Sequence, residues 1–140
     1  MDADSAIVTV EFEDEEFQDL LDDLLKEIEL QNYKVLKVAN VDNIKERTGI
    51  AKDINIVYQY YKIVEFCNLF TCSEMASADA RAGVFLPQRF AMYQRLDEDT
   101  IYVSYLRPTA IAELLDSGQM MVAARQIERE MNDIIEAVED

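Results

Sequence analysis

The sequence predicts an α+β fold, in which an antiparallel β-sheet of about five strands carries helices packed on one face. Short stretches rich in β-branched and aromatic residues alternate apolar with polar side chains, as strands do. Longer stretches place apolar residues three and four positions apart, as helices do. The resulting order is strand, helix, strand, short helix, strand, helix, strand, strand, helix, helix. With 140 residues, of which 50% are hydrophobic, residues 1–140 are expected to form a single domain with its own core.

The first strand and the first helix are distinguished by their hydrophobic period. Residues Ala6–Phe12 alternate, which predicts a strand with one buried face. Residues Glu13–Gln31 change to the helical period and begin with acidic side chains, which suit the positive end of the helix dipole. Asn32 is expected to end this helix. The side chains expected to pack on the sheet are Phe17, Leu20, Leu21, Leu24, Leu25 and Ile28.

The second strand is predicted over Tyr33–Val41. Its alternation changes phase between Val35 and Leu36, which indicates a β-bulge. Asp42 can cap a short helix over residues 43–48 that Gly49 ends. Residues 51–59 show no clear period and are interpreted as a loop.

The third and fourth strands hold the polar residues that look out of place beside a core. In Tyr60–Asn68, alternation places Glu65 on the face of Ile63 and Cys67. If that is the packed face, the carboxylate needs a cation, because an unpaired buried charge is very costly. Arg89, in the strand predicted over Val84–Gln94, is the candidate. The favoured explanation is that the two residues lie at a wet sheet margin or form a structural ion pair, and the alternative is a functional pocket.

The two cysteines lie close to one another in sequence. The spacing of Thr71-Cys72-Ser73-Glu74 resembles a capping box, so a helix is expected to begin near Cys72 and to end at Arg81 or Ala82. In its first turn, exposed amides would lower the pKa of the Cys72 thiol. Cys67 and Cys72 are possible reactive thiols. The alternative is that each is a small buried hydrophobe, and both are expected as thiols rather than a disulfide.

The last third of the chain continues the sheet and then becomes helical. Leu96-Asp97-Glu98-Asp99 is a polar turn into a strand over Thr100–Leu106, which should pair antiparallel with the preceding strand. Pro108 suits the first turn of a helix through Asp116. A final helix is predicted over Gln119–Val138. Its apolar seam, which should face the sheet or a partner helix, consists of Met120, Ala124, Ile127, Met131, Ile134 and Val138.

Two runs of the chain resemble the signatures of the domain-of-unknown-function family 302. They are the run from Tyr61 to Cys67-Asn68 and the run Gly83-Val84-Phe85-Leu86-Pro87-Gln88-Arg89-Phe90 through Tyr93. The resemblance extends from about Ile7 to the C-terminal helix and implies a compact, dimeric α+β domain with an antiparallel sheet. It differs where the family often has Cys after Leu-Pro, because this chain has Gln88. That difference argues against a role needing one thiol from each strand.

Composition excludes several classes of function. The 13 basic and 29 acidic residues give a formal charge of -16, which repels nucleic acid and anionic membrane surfaces. No signal-like or membrane-spanning stretch is present, so a cytoplasmic protein is expected. The chain has no histidine, which excludes serine and cysteine–histidine triads within one chain. No cofactor and no metal site are expected, and no catalytic residue can be assigned.

The leading hypothesis is a homodimeric protein that binds an unknown small molecule near the ends of the two key strands. Arg89 and Asn68 would be polar anchors, Glu65 would orient Arg89, and tyrosines would form the walls. The rival is a thiol enzyme or sulfur/redox carrier that uses Cys67 or Cys72. A third possibility is a regulatory protein that binds a partner through its C-terminal helix. The full set of candidate ligand-binding residues is Glu65, Cys67, Asn68, Pro87, Gln88 and Arg89.

Overall fold

One antiparallel sheet forms the framework of the computed structural model, which describes residues 2–42 and 57–139. The strands assigned there are β1 (Ile7–Phe12), β2 (Lys34–Asn40), β3 (Tyr58–Cys67), β4 (Gln88–Arg95) and β5 (Ile101–Leu106). They lie in the order β1-β5-β4-β3-β2, and every neighbouring pair is antiparallel. The five-stranded antiparallel sheet predicted from the alternating stretches is confirmed.

Helices pack on one face of this sheet. They are α1 (Ala3–Ala6), α2 (Phe17–Leu30), α3 (Leu69–Ala78), α4 (Pro108–Leu114) and α5 (Gly118–Glu139), with a 3₁₀ helix over Ala80–Phe85. The apolar sides of α2 and α5 meet the strands, as their periodicity predicted. Asn32 ends the α2 region in a left-handed conformation (φ 67°), which asparagine adopts more readily than most residues.

The core lies between the helices and alternate residues of the central strands. Val64 and Phe66 of β3 and Phe90 and Met92 of β4 have no solvent exposure. Met120, Ile127 and Ile134 of α5 are equally buried. Burying a side chain of this size contributes about 1.5–3 kcal/mol, so this layer accounts for most of the stability of the domain. The α+β fold class is therefore confirmed.

Several observed element boundaries differ from the predicted ones, among them the starts of α2, α3 and β4. Helix α2 begins at Phe17 rather than Glu13, because Asp14 has a positive φ of 57° that no helix accommodates. Helix α3 begins at Leu69 rather than near Cys72, since its N-cap is Asn68 and not Thr71. Residues 84–87 are not in a strand: Val84 and Phe85 belong to the 3₁₀ helix, and β4 begins directly after Pro87.

The predicted bulge in β2 is confirmed by a shift of register between Val35 and Lys37. The short helix predicted over residues 43–48 lies outside the described residues. The carboxylate of Asp42, which was expected to cap that helix, accepts hydrogen bonds from the Tyr61 amide (3.0 Å) and the Lys62 ammonium (2.9 Å). Asp42 thus links the end of β2 to the middle of β3.

Candidate functional site

The sheet face opposite the helices carries three rows of side chains that cross the strands. Each row consists of residues that the strand register places side by side. The first row is aromatic and contains Tyr61, Tyr93 and Tyr102. The second has mostly small side chains: Ala39, Ile63, Ala91, Ser104 and Thr9. The third is charged and contains Lys37, Glu65 and Arg89. Because most side chains of the middle row are short, its surface lies lower than the rows on either side.

The tyrosines of the first row stack on one another. The ring centroids of Tyr61 and Tyr93 are 5.3 Å apart, and those of Tyr93 and Tyr102 are 5.5 Å apart, with nearly parallel planes. Tyr58 meets Tyr61 edge-on, and the Arg95 guanidinium lies 5.3 Å from the centre of the Tyr102 ring. Burial and the neighbouring phenols raise the pKa of Tyr61. This row is therefore a wall of stacked phenol rings.

The middle row forms the floor of a groove of about 490 Å³. This volume is within the range of small-molecule sites, about 300–1,000 Å³. Ile63 and Ala91 supply apolar floor, and Leu106 and Ile7 extend it toward β1. At the centre, the Ser104 hydroxyl exchanges hydrogen bonds of 2.8 Å with the hydroxyls of Thr9 and Tyr93. The groove thus combines an apolar surface with a few polar groups, as ligand sites do.

Arg89 lies at the border of this groove and pairs with Glu65. The two residues are register partners on β3 and β4, and Arg89 Nε is 3.6 Å from Glu65 Oε2. The expected pairing of these side chains is therefore present. The conditional reading that Glu65 shares the packed face is wrong, because Val64 and Phe66 occupy that face. The long contact leaves the remaining guanidinium nitrogens of Arg89, whose side chain is 45% exposed, for another anion.

Asn68 and Cys67 lie at the end of β3, away from this groove. The Asn68 side-chain oxygen accepts hydrogen bonds from the amides of Phe70 (3.0 Å) and Thr71 (3.4 Å), and its nitrogen donates to the Asn32 carbonyl (3.2 Å). These bonds cap α3 and tie it to the end of α2. Both residues line a separate shallow concavity with Leu69 and Phe70. Of the candidate ligand-binding residues, Cys67 and Asn68 therefore lie at a different concavity from Arg89.

The sulfur atoms of Cys67 and Cys72 lie against each other in the structure. Their Cα atoms are 6.7 Å apart, and the pair joins the end of β3 to the first turns of α3. The two cysteines expected as thiols are therefore neighbours, and their redox state stays a prediction. The amide of Cys72 already donates to the Asn68 carbonyl (2.9 Å), so it does not provide the exposed N–H that was expected to lower a thiol pKa.

Pro87 and Gln88 lie on the other side of Arg89, toward the helices. Gln88 is buried, and its side-chain oxygen is 3.5 Å from the Cys72 sulfur. Among the described residues, its amide nitrogen is a buried group without a hydrogen-bond partner. Both residues line a small cavity of about 160 Å³ with Val84, Phe85 and Met131. The position at which the family often has Cys therefore lies next to Cys72.

Sequence reasoning missed the residues that give the groove its shape. Ala91, Ser104 and Thr9 have ordinary strand side chains, and only the cross-strand register brings them into one row. No grouping of side chains suited to a metal ion occurs within residues 2–42 and 57–139. Over the same ranges, none of the helices has the length and apolar character needed to cross a bilayer.

Comparison with known proteins agrees with this architecture. The crystal structure of an uncharacterized conserved protein DUF302 from Bacillus stearothermophilus superposes with a TM-score of 0.81 at 18% identity, covering 94% of this chain and 97% of that one. Comparison with curated proteins gives no match. The family model described as domain of unknown function DUF302 matches residues 8–138. Since that match spans nearly all of the strands and helices, the chain belongs to the DUF302 family.

Proposed function

We propose that this protein is a cytoplasmic small-ligand-binding module whose site is the groove on the open face of the sheet. The observation that carries the proposal is the groove itself, in which an apolar floor over Ile63 and Ala91 ends at the Arg89 guanidinium. Such a site suits a small molecule with a flat or slender apolar part and a carboxylate. Arg89 binds the carboxylate, because guanidinium–carboxylate pairs are strong and directional.

The other predicted site residues have different parts in this proposal. Glu65 orients Arg89 from its far side, and the tyrosine row forms one wall of the groove. Asn68 is no longer proposed as an anchor, since its side chain already makes three hydrogen bonds that hold α3. Cys67 does not line the groove and has no part in this proposal.

Binding of carboxylates to purified protein tests this proposal. Benzoate and hexanoate are the probes, measured by thermal shift and by titration calorimetry. Ala91→Phe should abolish binding, because the new ring fills the centre of the groove, and Arg89→Gln should weaken it roughly tenfold or more. Arg81→Gln is the matched control, since Arg81 is an exposed arginine paired with Asp79. If both groove variants bind the probes as the unmodified protein does, the proposal is wrong.

A homodimer is part of the same proposal, as the family resemblance implies. Leu69 and Phe70, at the start of α3, are 83% and 75% exposed, and we propose that they contact a second copy of the chain. Light scattering across a range of concentrations measures the mass. Phe70→Ser should shift the mass toward the monomer, and a single monomeric mass for the unmodified protein at all concentrations would contradict the dimer.

The Cys67–Cys72 pair favours a second candidate, a dithiol–disulfide carrier. Cytosolic disulfides are usually transient and redox-active. Cys72 is more exposed than Cys67, so a glutathione thiolate attacks the Cys72 sulfur, breaks the sulfur–sulfur bond and releases Cys67 as a thiolate. A second glutathione thiolate then attacks the mixed disulfide, which yields glutathione disulfide and the Cys72 thiolate.

Trapping with iodoacetamide in lysed cells tests this candidate. If the pair carries electrons, the fraction of alkylated Cys72 should rise after treatment with a reductant and fall after treatment with peroxide. Cys67→Ser should leave Cys72 permanently alkylatable. A pair that stays fully oxidised or fully reduced under both treatments would exclude the carrier and leave the groove proposal unaffected.

A further inference from the structure

A second concavity of about 440 Å³ lies on the helical side of the sheet, near the β1 edge. Val8 of β1 and Tyr105 of β5 form its floor, and α5 forms its wall. Three arginines border it: Arg107, which precedes α4, and Arg125 and Arg129 of α5. Tyr105 borders both this concavity and the open-face groove, but Val8 and the three arginines do not line the groove, so the two sites are distinct.

These arginines are unusual because the chain is strongly acidic. The sequence has 29 acidic and 13 basic residues, so most arginines should have a carboxylate nearby. In the described ranges, Arg81, Arg89 and Arg95 each form a salt bridge, whereas no carboxylate pairs with Arg107, Arg125 or Arg129. Three guanidinium groups that form no ion pair with the described residues therefore lie at one concavity, and this arrangement requires a separate explanation.

The one carboxylate that lines the concavity is already engaged. Glu128 Oε1 accepts hydrogen bonds from the Thr109 amide (3.1 Å) and the Thr109 hydroxyl (2.7 Å), which hold the first turn of α4 against α5. Glu128 is thereby directed to α4 instead of to a guanidinium. Arg125 and Arg129 also stand four residues apart on α5, a spacing at which like charges repel each other.

We propose that this concavity binds a phosphate monoester of a small molecule, whose dianionic head is held by Arg107, Arg125 and Arg129. Guanidinium groups bind phosphate oxygens through paired hydrogen bonds, and a dianion offsets the repulsion between Arg125 and Arg129. Tyr105 lies at the floor, where its hydroxyl makes no hydrogen bond to any residue of the described chain. The overall charge of -16 disfavours nucleic acid polymers, so a compact ligand is the better fit.

Calorimetric titration of the full chain with phenyl phosphate at low ionic strength tests the proposal, with inorganic phosphate and acetate as comparison probes. Phenyl phosphate should bind saturably and at least tenfold more tightly than acetate. Arg125→Gln and Arg129→Gln should each weaken it roughly tenfold. Arg81→Gln removes the same charge elsewhere and should change the affinity less than twofold.

A second measurement needs no variant. In NMR spectra, phenyl phosphate should shift the side-chain N–H signals of Arg107, Arg125 and Arg129 and leave those of Arg81 and Arg95 in place. Absence of saturable binding at millimolar phenyl phosphate would overturn the proposal. So would an equal loss of affinity in Arg81→Gln, or signal shifts spread over all of the arginines, because both indicate a non-specific attraction.

Discussion

The two faces of the sheet are made by the same strands but differ in how their side chains are stabilised. On β3 and β4, Val64 and Phe90 face the helices and have no solvent exposure. Their neighbours Ile63 and Ala91 face the open side and are partly exposed. The helical face therefore maintains the fold, whereas the open face can change without unfolding the domain. Substitutions that differ only in the face they alter should separate these two properties.

The largest expected effect is the loss of a core ring. Phe90→Ala should lower the free energy of unfolding by about 3–5 kcal/mol, because it leaves a cavity between Phe66 and Tyr105. Tyr93→Ala, three residues along the same strand, should cost only about 1 kcal/mol from lost ring contacts. Urea denaturation measures both. Similar costs for the two variants would mean that the open face is covered in solution, for example by a second copy.

Charged pairs on β3 should show the same asymmetry. Lys62 points toward the helical side and is paired with Asp42, whose side chain is 4% exposed, whereas Glu65 and Arg89 are paired on the open face. Lys62→Met should cost about 3 kcal/mol, since it leaves a buried carboxylate without its cation. Arg89→Met should cost less than about 1 kcal/mol. Urea denaturation at low and high salt checks this, and a salt-sensitive loss in Lys62→Met would contradict burial of the pair.

The sequence predicted the helical face well because periodicity reports burial. The phase of α2 and α5, the bulge in β2 and the alternation of β5 follow directly from residue order. It did not determine which side of β3 is packed, because Ile63 and Cys67 alternate as convincingly as Val64 and Phe66. That ambiguity placed Glu65 beside the core, where the structure has Val64 and Phe66.

The remaining errors came from contacts that no local pattern reports. Val84-Phe85-Leu86 has strand-like composition, yet Val84 and Phe85 are the last residues of a 3₁₀ helix and Leu86 is its C-cap. Asn68 and Thr71 are both residue types that cap helices. Asn68 is the cap in the structure, where its side-chain amide also donates a hydrogen bond to the Asn32 carbonyl. The groove needs the register of four strands, and the arginine concavity joins residues from α5 and the β5–α4 connection, which lie far apart in sequence.

A buried tyrosine on the helical side of the sheet should make the free energy of unfolding depend on pH. The Tyr33 hydroxyl donates to Glu130 (3.0 Å) beneath the helical face, and burial followed by the Glu130 charge raises its pKa above the ordinary value. Tyr33→Phe should cost about 1 kcal/mol at neutral pH through the lost hydrogen bond. Because unfolded tyrosine ionises near pH ~10 while the folded residue stays neutral, this contribution falls as pH rises further.

Urea denaturation at a series of pH values measures this dependence. The unmodified protein should lose stability above pH ~10, and the difference from Tyr33→Phe should narrow over the same range. Tyr102 is the comparison on the open face, where a hydrogen bond to Glu98 is the main cause of its raised pKa. If the difference between the unmodified protein and Tyr33→Phe widened with pH, the direction of the Tyr33 pKa shift would be wrong.

The smallest expected effect is a difference in stability between two arginine variants whose wild-type side chains have different charged neighbours. Arg129→Gln and Arg81→Gln change the net charge equally, so their difference in stability reports only local interactions. Arg81→Gln removes a pairing with Asp79 at 2.8 Å, whereas Arg129→Gln relieves the repulsion from Arg125 four residues earlier. Without phosphate, Arg129→Gln should be slightly more stable than Arg81→Gln at low salt, and this difference in stability should close as salt screens both interactions. Phenyl phosphate should reverse the order, because only the Arg129 variant loses a contact with the bound dianion. An order that stays the same with and without phenyl phosphate would leave the arginines of α5 with a structural role alone.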